Sequence, residues 1–474
     1  MRAAPWRADS AHTVHAAHTV HIAGLAVPLI LTQFAQVALS TTDIVMMGLL
    51  GPLDIAAGGL ALAVFNLLRT MGVGLVTPTG NLVAAASANL AHSEYAQAEI
   101  RDMVRASFTI ATLAGLLFWG LMLGAGKLLA WLGQDAAVVA KTSDYLFAAA
   151  PGIVPLLWFQ ALRNFTVGLR RPGPLLAITL VSVAVNAALN YGLMFGAFGL
   201  PALGLVGIAW STTLVNLFSF VAFWLIVRRD PMLARLLSLR LWGTAKHALQ
   251  RTWRMGWPVA ATYGSEAGFF AVVALLVGTI SAQALAAHTV VNQVVYIVFM
   301  ISVGLSHAKS ISISQVWSQG DAHTARRLGY TGLGMGLVCM GAIAVIYLAW
   351  PQHVLRLFLP PDTAGNAAVL ALASPLLMIA AVLQCFDCGQ NIGVGILRGA
   401  GETHSSLVMA LVGYWGVGLP SAWLLGLYFQ GGAVGIWIGL TLGLVVTAVL
   451  MLRRFARVID ARIKQDGAMR SLVK

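Results

Sequence analysis

The sequence predicts an all-α polytopic membrane protein with 12 transmembrane helices arranged as two six-helix lobes. Three observations predict it. Apolar residues fill 59% of the 474 positions and charged residues only 9%, and this holds along the whole length. A water-soluble fold needs a polar exterior that such a composition cannot supply. The apolar residues fall into twelve stretches, each long enough for the roughly 20 residues that a bilayer-spanning helix needs. Finally, the two halves match each other at a nearly constant offset.

The first six stretches are 22–50, 54–86, 103–126, 137–162, 174–198 and 203–227, and the second six are 255–278, 284–316, 325–350, 366–397, 404–428 and 432–452. Several exceed 25 residues, which implies tilt or ends that protrude into water. These bounds divide the chain into an N-terminal tail (1–21), an N-lobe (22–227), a basic linker (228–254), a C-lobe (255–452) and a basic C-terminal tail (453–474). Within the linker, RRDPMLARLLSLR reads as an amphipathic connector lying along the lipid surface.

The net charge of +13 would suggest nucleic acid for a soluble protein, but its distribution excludes that partner. With the N-terminus placed in the cytoplasm, 25 Lys and Arg fall on the cytoplasmic side, against Lys127, Lys141 and Arg356 on the other, and Arg69 lies inside a span. This is the positive-inside bias, and it predicts both termini in the cytoplasm. Attraction of the basic segments to anionic membrane lipids is secondary. The segment before Pro28 has no small-residue cleavage site after a short apolar core, so it does not read as a removable signal peptide. Three cysteines in apolar segments make no disulfide framework.

An offset of 230 aligns Pro28 with Pro258, Ala56-Ala57 with Ala286-Ala287, and Gly74-Leu75 with Gly304-Leu305. An offset of 228 then aligns Leu169-Arg170 with Leu397-Arg398 and Val206-Gly207-Ile208 with Val434-Gly435-Ile436. Each half holds an even number of spans, so both enter the membrane from the same side and relate by an axis along its normal. Transporters built from such parallel repeats bind near the midplane between the halves.

A charge near the bilayer centre costs roughly 2.5–3.5 kcal/mol on insertion scales, so an intramembrane acid faces a cavity or a partner. Three stand out. Asp43, in ALSTTDIVMMG, lies fifteen residues after Pro28, roughly 22 Å along the first helix. Glu266, in TYGSEAGFFAVV, lies eight residues after Pro258 on the equivalent helix, and Asp387 sits in LQCFDCGQNIG of the tenth. The plain alternative pairs each acid with Arg69, Arg163 or Lys309. The functional reading is that burial penalises the charged form of a carboxyl, which allows proton exchange near neutral pH. Supported by neutral oxygens, the same group holds a dehydrated cation or the positive end of a drug. Asn186 and Asn190 lie one turn apart on the fifth helix, where their amide carbonyls could complete a site with Asp43. Thr212, in the sixth helix, is a weaker candidate. Both asparagines and the threonine also read as helix-packing residues.

Other signals point nowhere. Cys385 and Cys388 form a lone CxxC inside an apolar helix, without the second pair a metal site needs. His12, His15, His18 and His21 recur every three residues and so drift around a helix. His288 reads as a packing residue at the start of the eighth helix. Gly126-Lys127 lacks the rest of a phosphate loop, and no HExxH or GxSxG motif is present.

These segments resemble the multidrug and toxic compound extrusion (MATE) family, with the closest likeness to its NorM branch. PLILTQFAQVALSTTDIVMMGLLGPLDIAA resembles the family's first helix and following turn. EAGFFAVVALLVGTISAQALAAHTVVNQVVYIVFMISVGLS is similar to its seventh and eighth helices, and VLQCFDCGQNIGVGILRGAGET to its tenth. The likeness spans roughly residues 20–450. It implies that Asp43, with Asn186, Asn190 and Thr212, falls on the N-lobe ion site, and that Glu266 and Asp387 fall on the C-lobe cation site, where Na+ binds. It implies a bacterial inner-membrane, monomeric antiporter without a cofactor, exporting amphipathic, often cationic drugs and dyes in exchange for Na+ or H+. Leu383 departs from the pattern, because NorM-type members commonly carry a tyrosine one turn before the helix-ten acid. Lys309 stands where a small residue is expected.

Two other classes compete. A flippase for lipid-linked saccharides would line its cavity with several arginines for pyrophosphate. An intramembrane prenyl-chain transferase would need clustered aspartates for Mg2+ and diphosphate, and no DDxxD-like cluster occurs.

Overall fold

The computed structural model describes residues 11–88, 94–131, 135–239, 243–358 and 366–472, with side chains from 26–51, 53–88, 95–131, 135–239, 243–358 and 367–465. The region of the four N-terminal histidines lies outside the described side chains. Among the described residues, 12 helices are long and apolar enough to cross a membrane. They are α1 (Ala26–Gly48), α2 (Leu53–Ser87), α3 (Tyr95–Trp131), α4 (Ala136–Gly168), α5 (Leu175–Phe195) and α6 (Leu205–Arg229), followed by α7 (Lys246–Gly278), α8 (Ala282–Ser318), α9 (Ala322–Ala349), α10 (Ala367–Gly399), α11 (Thr403–Tyr428) and α12 (Gly432–Gln465).

Several helices outrun their predicted apolar stretches. Helices α3, α7 and α12 carry extra turns such as KHALQRTWR and LRRFARVIDARIK. Such turns keep helical periodicity while alternating charge with apolar residues, so hydropathy drops where the backbone does not. The helix of α12 runs on to Leu472, through most of the expected basic tail. The linker shrinks accordingly. Asp230 accepts from the amides of Met232 (2.9 Å) and Leu233 (3.1 Å) and starts a short helix, Pro231–Leu236. Leu233 and Leu236 are buried, and Arg105 Nε on α3 donates to Ser238 Oγ at 2.7 Å. The connector is therefore pinned onto α3, not laid on lipid as its amphipathic pattern predicts.

The repeat is visible in local chemistry. Pro28 in α1 and Pro258 in α7 each remove one intrahelical amide. Four residues on, Thr32 Oγ1 donates to the Pro28 carbonyl (2.7 Å) and Thr262 Oγ1 to the Pro258 carbonyl (2.8 Å), both threonines buried.

The lobes meet near one face of the membrane. Because the spans alternate and are even in number, the start of α1 and the end of α12 share this face. A side-chain carbon on Gly74 (α2) would lie 2.6 Å from Ala260 Cα (α7), and one on Gly304 (α8) would lie 2.9 Å from Ile30 Cα (α1). Small residues let membrane helices approach this closely. The two contacts are copies of each other, since 230 separates Gly74 from Gly304 and Ile30 from Ala260. Polar contacts on the same side complete the seam. Asn81 Nδ2 donates to Ser310 Oγ and Ser314 Oγ, each at 2.8 Å, and Arg251 pairs with Glu99 at 2.8 Å.

Candidate functional site

Helix α1 places Asp43 against the buried face of α5, and the carboxyl is 5% exposed. Asn186 Nδ2 donates to Asp43 Oδ1 at 3.1 Å and Asn190 Nδ2 to the same oxygen at 2.7 Å. From α6, Thr212 Oγ1 donates to Asp43 Oδ2 at 3.3 Å. The structure thus brings together the four N-lobe residues singled out in the sequence. Asn190 Oδ1 is buried without a hydrogen-bond partner, and buried Tyr145 of α4 stands beside Asp43 and Thr212. Asp43 and Thr212 line a pocket of about 90 Å³.

The second pair of acids is arranged differently. Glu266 (α7) is half-buried and Asp387 (α10) is 3% exposed. Both face Gln390, whose Nε2 donates to Glu266 Oε1 (3.3 Å) and Asp387 Oδ1 (3.5 Å). They line a cavity of about 330 Å³ bounded by both lobes. Phe270, Tyr296, Phe299 and Met300 give it an apolar wall. Gln33, Tyr263 and His307 line it too, each three residues from a seam contact, so that end is sealed by the meeting lobes.

The cations that the plain alternative pairs with the acids do otherwise. Among the described residues, the three carboxyls form no ion pair, and the six pairs present lie toward the ends of helices. Arg163 donates to Gln160 Oε1 and Gln33 Oε1, both at 3.2 Å. Lys309 is fully buried, and its stem covers Gly332 on α9, which explains why a glycine faces it. Its Nζ has no hydrogen-bond partner, and it does not line the inter-lobe cavity. Elsewhere, Cys385 Sγ donates to the Ala381 carbonyl of its own helix at 3.6 Å. His288 Nδ1 accepts from Trp437 Nε1 at 3.1 Å and packs on that ring.

Sequence reasoning missed several residues. Gln390 was findable, because it lies one turn from Asp387. Arg398 reads from sequence as a loop charge but is 1% exposed, with Nε on Ser310 Oγ and Nη1 on the Tyr263 hydroxyl, each at 3.0 Å. Its partners come from other helices, and no local signal announces them.

Two pseudo-equivalent six-helix lobes, enclosing a cavity with buried, unpaired carboxyls and closed toward one face, define a multi-pass membrane transporter. A family model described as MatE matches residues 28–192 and 258–424, once per lobe and each time starting at the proline of the lobe's first helix. A relative from Pseudomonas aeruginosa, a "Probable multidrug resistance protein NorM", is 38% identical over 426 residues, which is 90% of this chain and 86% of that protein. A protein of the same description from Mesorhizobium japonicum is 34% identical over 434 residues, 91% of this chain and 92% of that one. Among solved structures, the eukaryotic MATE transporter AtDTX14 superposes with a TM-score of 0.83 over 95% of this chain and 99% of its own, at 19% identity. The chain belongs to the MatE family.

Proposed function

We propose that this protein is a multidrug antiporter of a bacterial inner membrane, its termini in the cytoplasm, exporting amphipathic and mostly cationic drugs and dyes in exchange for Na+ or H+. The observation that carries the reading is the pairing of carboxyls that form no ion pair with a half-apolar cavity between the lobes. A cavity of about 330 Å³ is at the lower end of the roughly 300–1,000 Å³ that holds drug-sized ligands. Glu266 and Asp387 line it without an ion-pair partner among the described residues, although Arg69 and Arg163 line it as well, and aromatic walls accept flat apolar bodies. The Asp43 pocket of about 90 Å³ is too small for such a ligand. A water takes roughly 30 Å³ of liquid volume, so the pocket suits a small ion. Asp43 and Thr212 supply oxygens in its wall of the kind Na+ takes, and the carboxyl alone serves H+.

Transport then follows from the seam. Closure toward the terminal face leaves the cavity accessible from the other side, and rocking the lobes about their contacts exposes it inward. Binding of the coupling ion from outside and of the organic cation from inside biases the two arrangements, each by its differential affinity. A membrane potential supplies about 2.3 kcal/mol per charge per 100 mV and a pH unit about 1.4 kcal/mol. The protein works as a monomer and needs no cofactor or nucleic acid in this reading.

The test is ethidium efflux from cells expressing wild type, Asp43→Asn or Asp387→Asn, with a Na+ jump and a proton-gradient collapse applied separately. Loss of efflux in both variants is expected, and the gradient whose removal stops wild type names the ion. A folded, membrane-inserted wild type that moves no dye under either gradient would falsify the proposal and favour lipid-linked saccharides as cargo.

A further inference from the structure

The Asp43 pocket and the inter-lobe cavity share a wall. Gln36, Ser40, Arg69 and Gln160 line both, and Arg69 of α2 is the charged member. Its Nε is buried without a hydrogen-bond partner, and among the described residues no carboxyl lies in ion-pair range of it. An arginine inside a span is costly and faces a cavity or a partner. This one faces two cavities. The other N-lobe cation on the cavity, Arg163, is engaged by Gln33 and Gln160, beside the sealed end.

Resting on the reading of the cavity as the organic-cation site, we infer that Arg69 determines specificity by dividing the carboxyls between two kinds of cargo. Its guanidinium keeps organic cations off the N-lobe wall and confines them to Glu266 and Asp387, which leaves Asp43 to the small coupling ion. The physical basis is like-charge repulsion across a partly desolvated space. At about 10 Å and an effective dielectric near 20, it amounts to roughly a tenfold effect on affinity. A small ion offsets the same repulsion by direct coordination in the pocket, with Asp43 and Thr212 in its wall. An organic cation, whose charge is held away by its own substituents, cannot make those contacts.

The experiment measures tetraphenylphosphonium binding to the purified full-length protein by equilibrium dialysis. Wild type, Arg69→Gln, Arg69→Met and Arg69→Lys are each assayed with and without Asp43→Asn. Removing the charge is expected to tighten binding about tenfold, or about 1.4 kcal/mol. Adding Asp43→Asn should abolish that gain, while in wild type it changes affinity less than about threefold. Arg69→Lys should behave as wild type. Affinity in both neutral variants within twofold of wild type, or a gain indifferent to Asp43→Asn, overturns the assignment. Two neutral variants guard against one that misfolds. A wild type that binds no tetraphenylphosphonium, or binds it equally after Glu266→Gln and Asp387→Asn, overturns the efflux reading itself and this inference with it.

Discussion

In the N-lobe, one carboxyl is held by three hydrogen bonds, from Asn186, Asn190 and Thr212, inside a pocket of about 90 Å³. In the C-lobe, two carboxyls share a single amide, that of Gln390, on the wall of a cavity several times larger. The scaffolds repeat but these sites do not. The offset of 230 that relates the prolines and seam glycines puts Val273 opposite Asp43 and Gln36 opposite Glu266. Val273 is fully buried in apolar packing, and Gln36 lines both cavities. The repeat therefore preserves the prolines and the seam contacts, while the residues around the acids have diverged. In the proposed antiport, a symmetric frame with asymmetric sites would let two ligands of different size drive one rocking motion from opposite sides.

The largest expected effect tests that division directly. Glu266→Gln combined with Asp387→Asn should weaken tetraphenylphosphonium binding by about 100-fold, because a desolvated cation loses its only counter-charges. Asp43→Asn should abolish ion-driven efflux while altering affinity less than about threefold. Equal losses of affinity in the two lobes, read by equilibrium dialysis, would merge the sites into one. Next in size is the seam. Gly74→Val and Gly304→Val each force a branched side chain onto the backbone of the other lobe, an overpacking cost of about 1–3 kcal/mol. Both should lengthen the distance between spin labels on Ser87 and Ser318, and by similar amounts. A shift from one glycine alone would show that the frame is less symmetric than its contacts.

The twelve spans and the three acids were legible in the sequence because the membrane makes both conspicuous: long apolar runs are required, and intramembrane charge is costly. The Asn186–Asn190 pair was legible from helical spacing, but both turn their amide nitrogens, not the expected carbonyls, to Asp43. Where the reading stopped, the cause was distance along the chain. Arg163 and Arg398 fall just outside the predicted stretches and count as loop charges, and Lys309 falls late in the eighth, yet all three are buried in spans. Beside its neighbour Gln160, Arg163 bonds Gln33 130 positions away, and both partners of Arg398 lie 88 or more positions away, which no window detects. The position of Arg69 between two cavities is likewise a property of packed helices. Extra turns at the helix ends escaped because amphipathic helix in water looks polar to a scale built for lipid.

A smaller effect sharpens the comparison of scaffolds. Thr32→Val and Thr262→Val each remove a hydroxyl that bonds the proline carbonyl of its own helix. Each should cost about 1 kcal/mol in denaturant unfolding, a typical hydrogen-bond contribution. Matching losses would show that the two first helices remain energetically equivalent where they carry no ligand. A loss confined to Thr32 would show that the α1 kink supports Asp43 in a way α7 does not support Glu266.

The smallest effect lies at the membrane surface, where the two lobes tie equivalent turns with ion pairs of opposite polarity. In the N-lobe, Arg171 after α4 pairs with Asp230 at the end of α6 at 3.4 Å. In the C-lobe, Glu402 after α10 pairs with Arg454 of α12 at 2.8 Å and accepts from Ser405 Oγ at 2.5 Å. Backbone amides of the following turn, Leu233 first, hold the Asp230 carboxyl below its ordinary range, and Arg171 adds to that. Partial burial pushes the Glu402 carboxyl up, but the Ser405 hydroxyl and Arg454 outweigh it, and the net displacement is again downward. A carboxyl whose folded value is depressed stabilises the fold above its unfolded value, and that contribution fades as pH falls through the folded one. Glu402→Gln should therefore lower the thermal midpoint slightly at pH 7, by less than about 1 kcal/mol for so exposed a pair. The difference from wild type should shrink as pH falls through the depressed folded value and vanish once both proteins carry a neutral group at that position. A difference that persisted at low pH would assign the role of Glu402 to packing and leave the Arg171–Asp230 turn as the one held by charge.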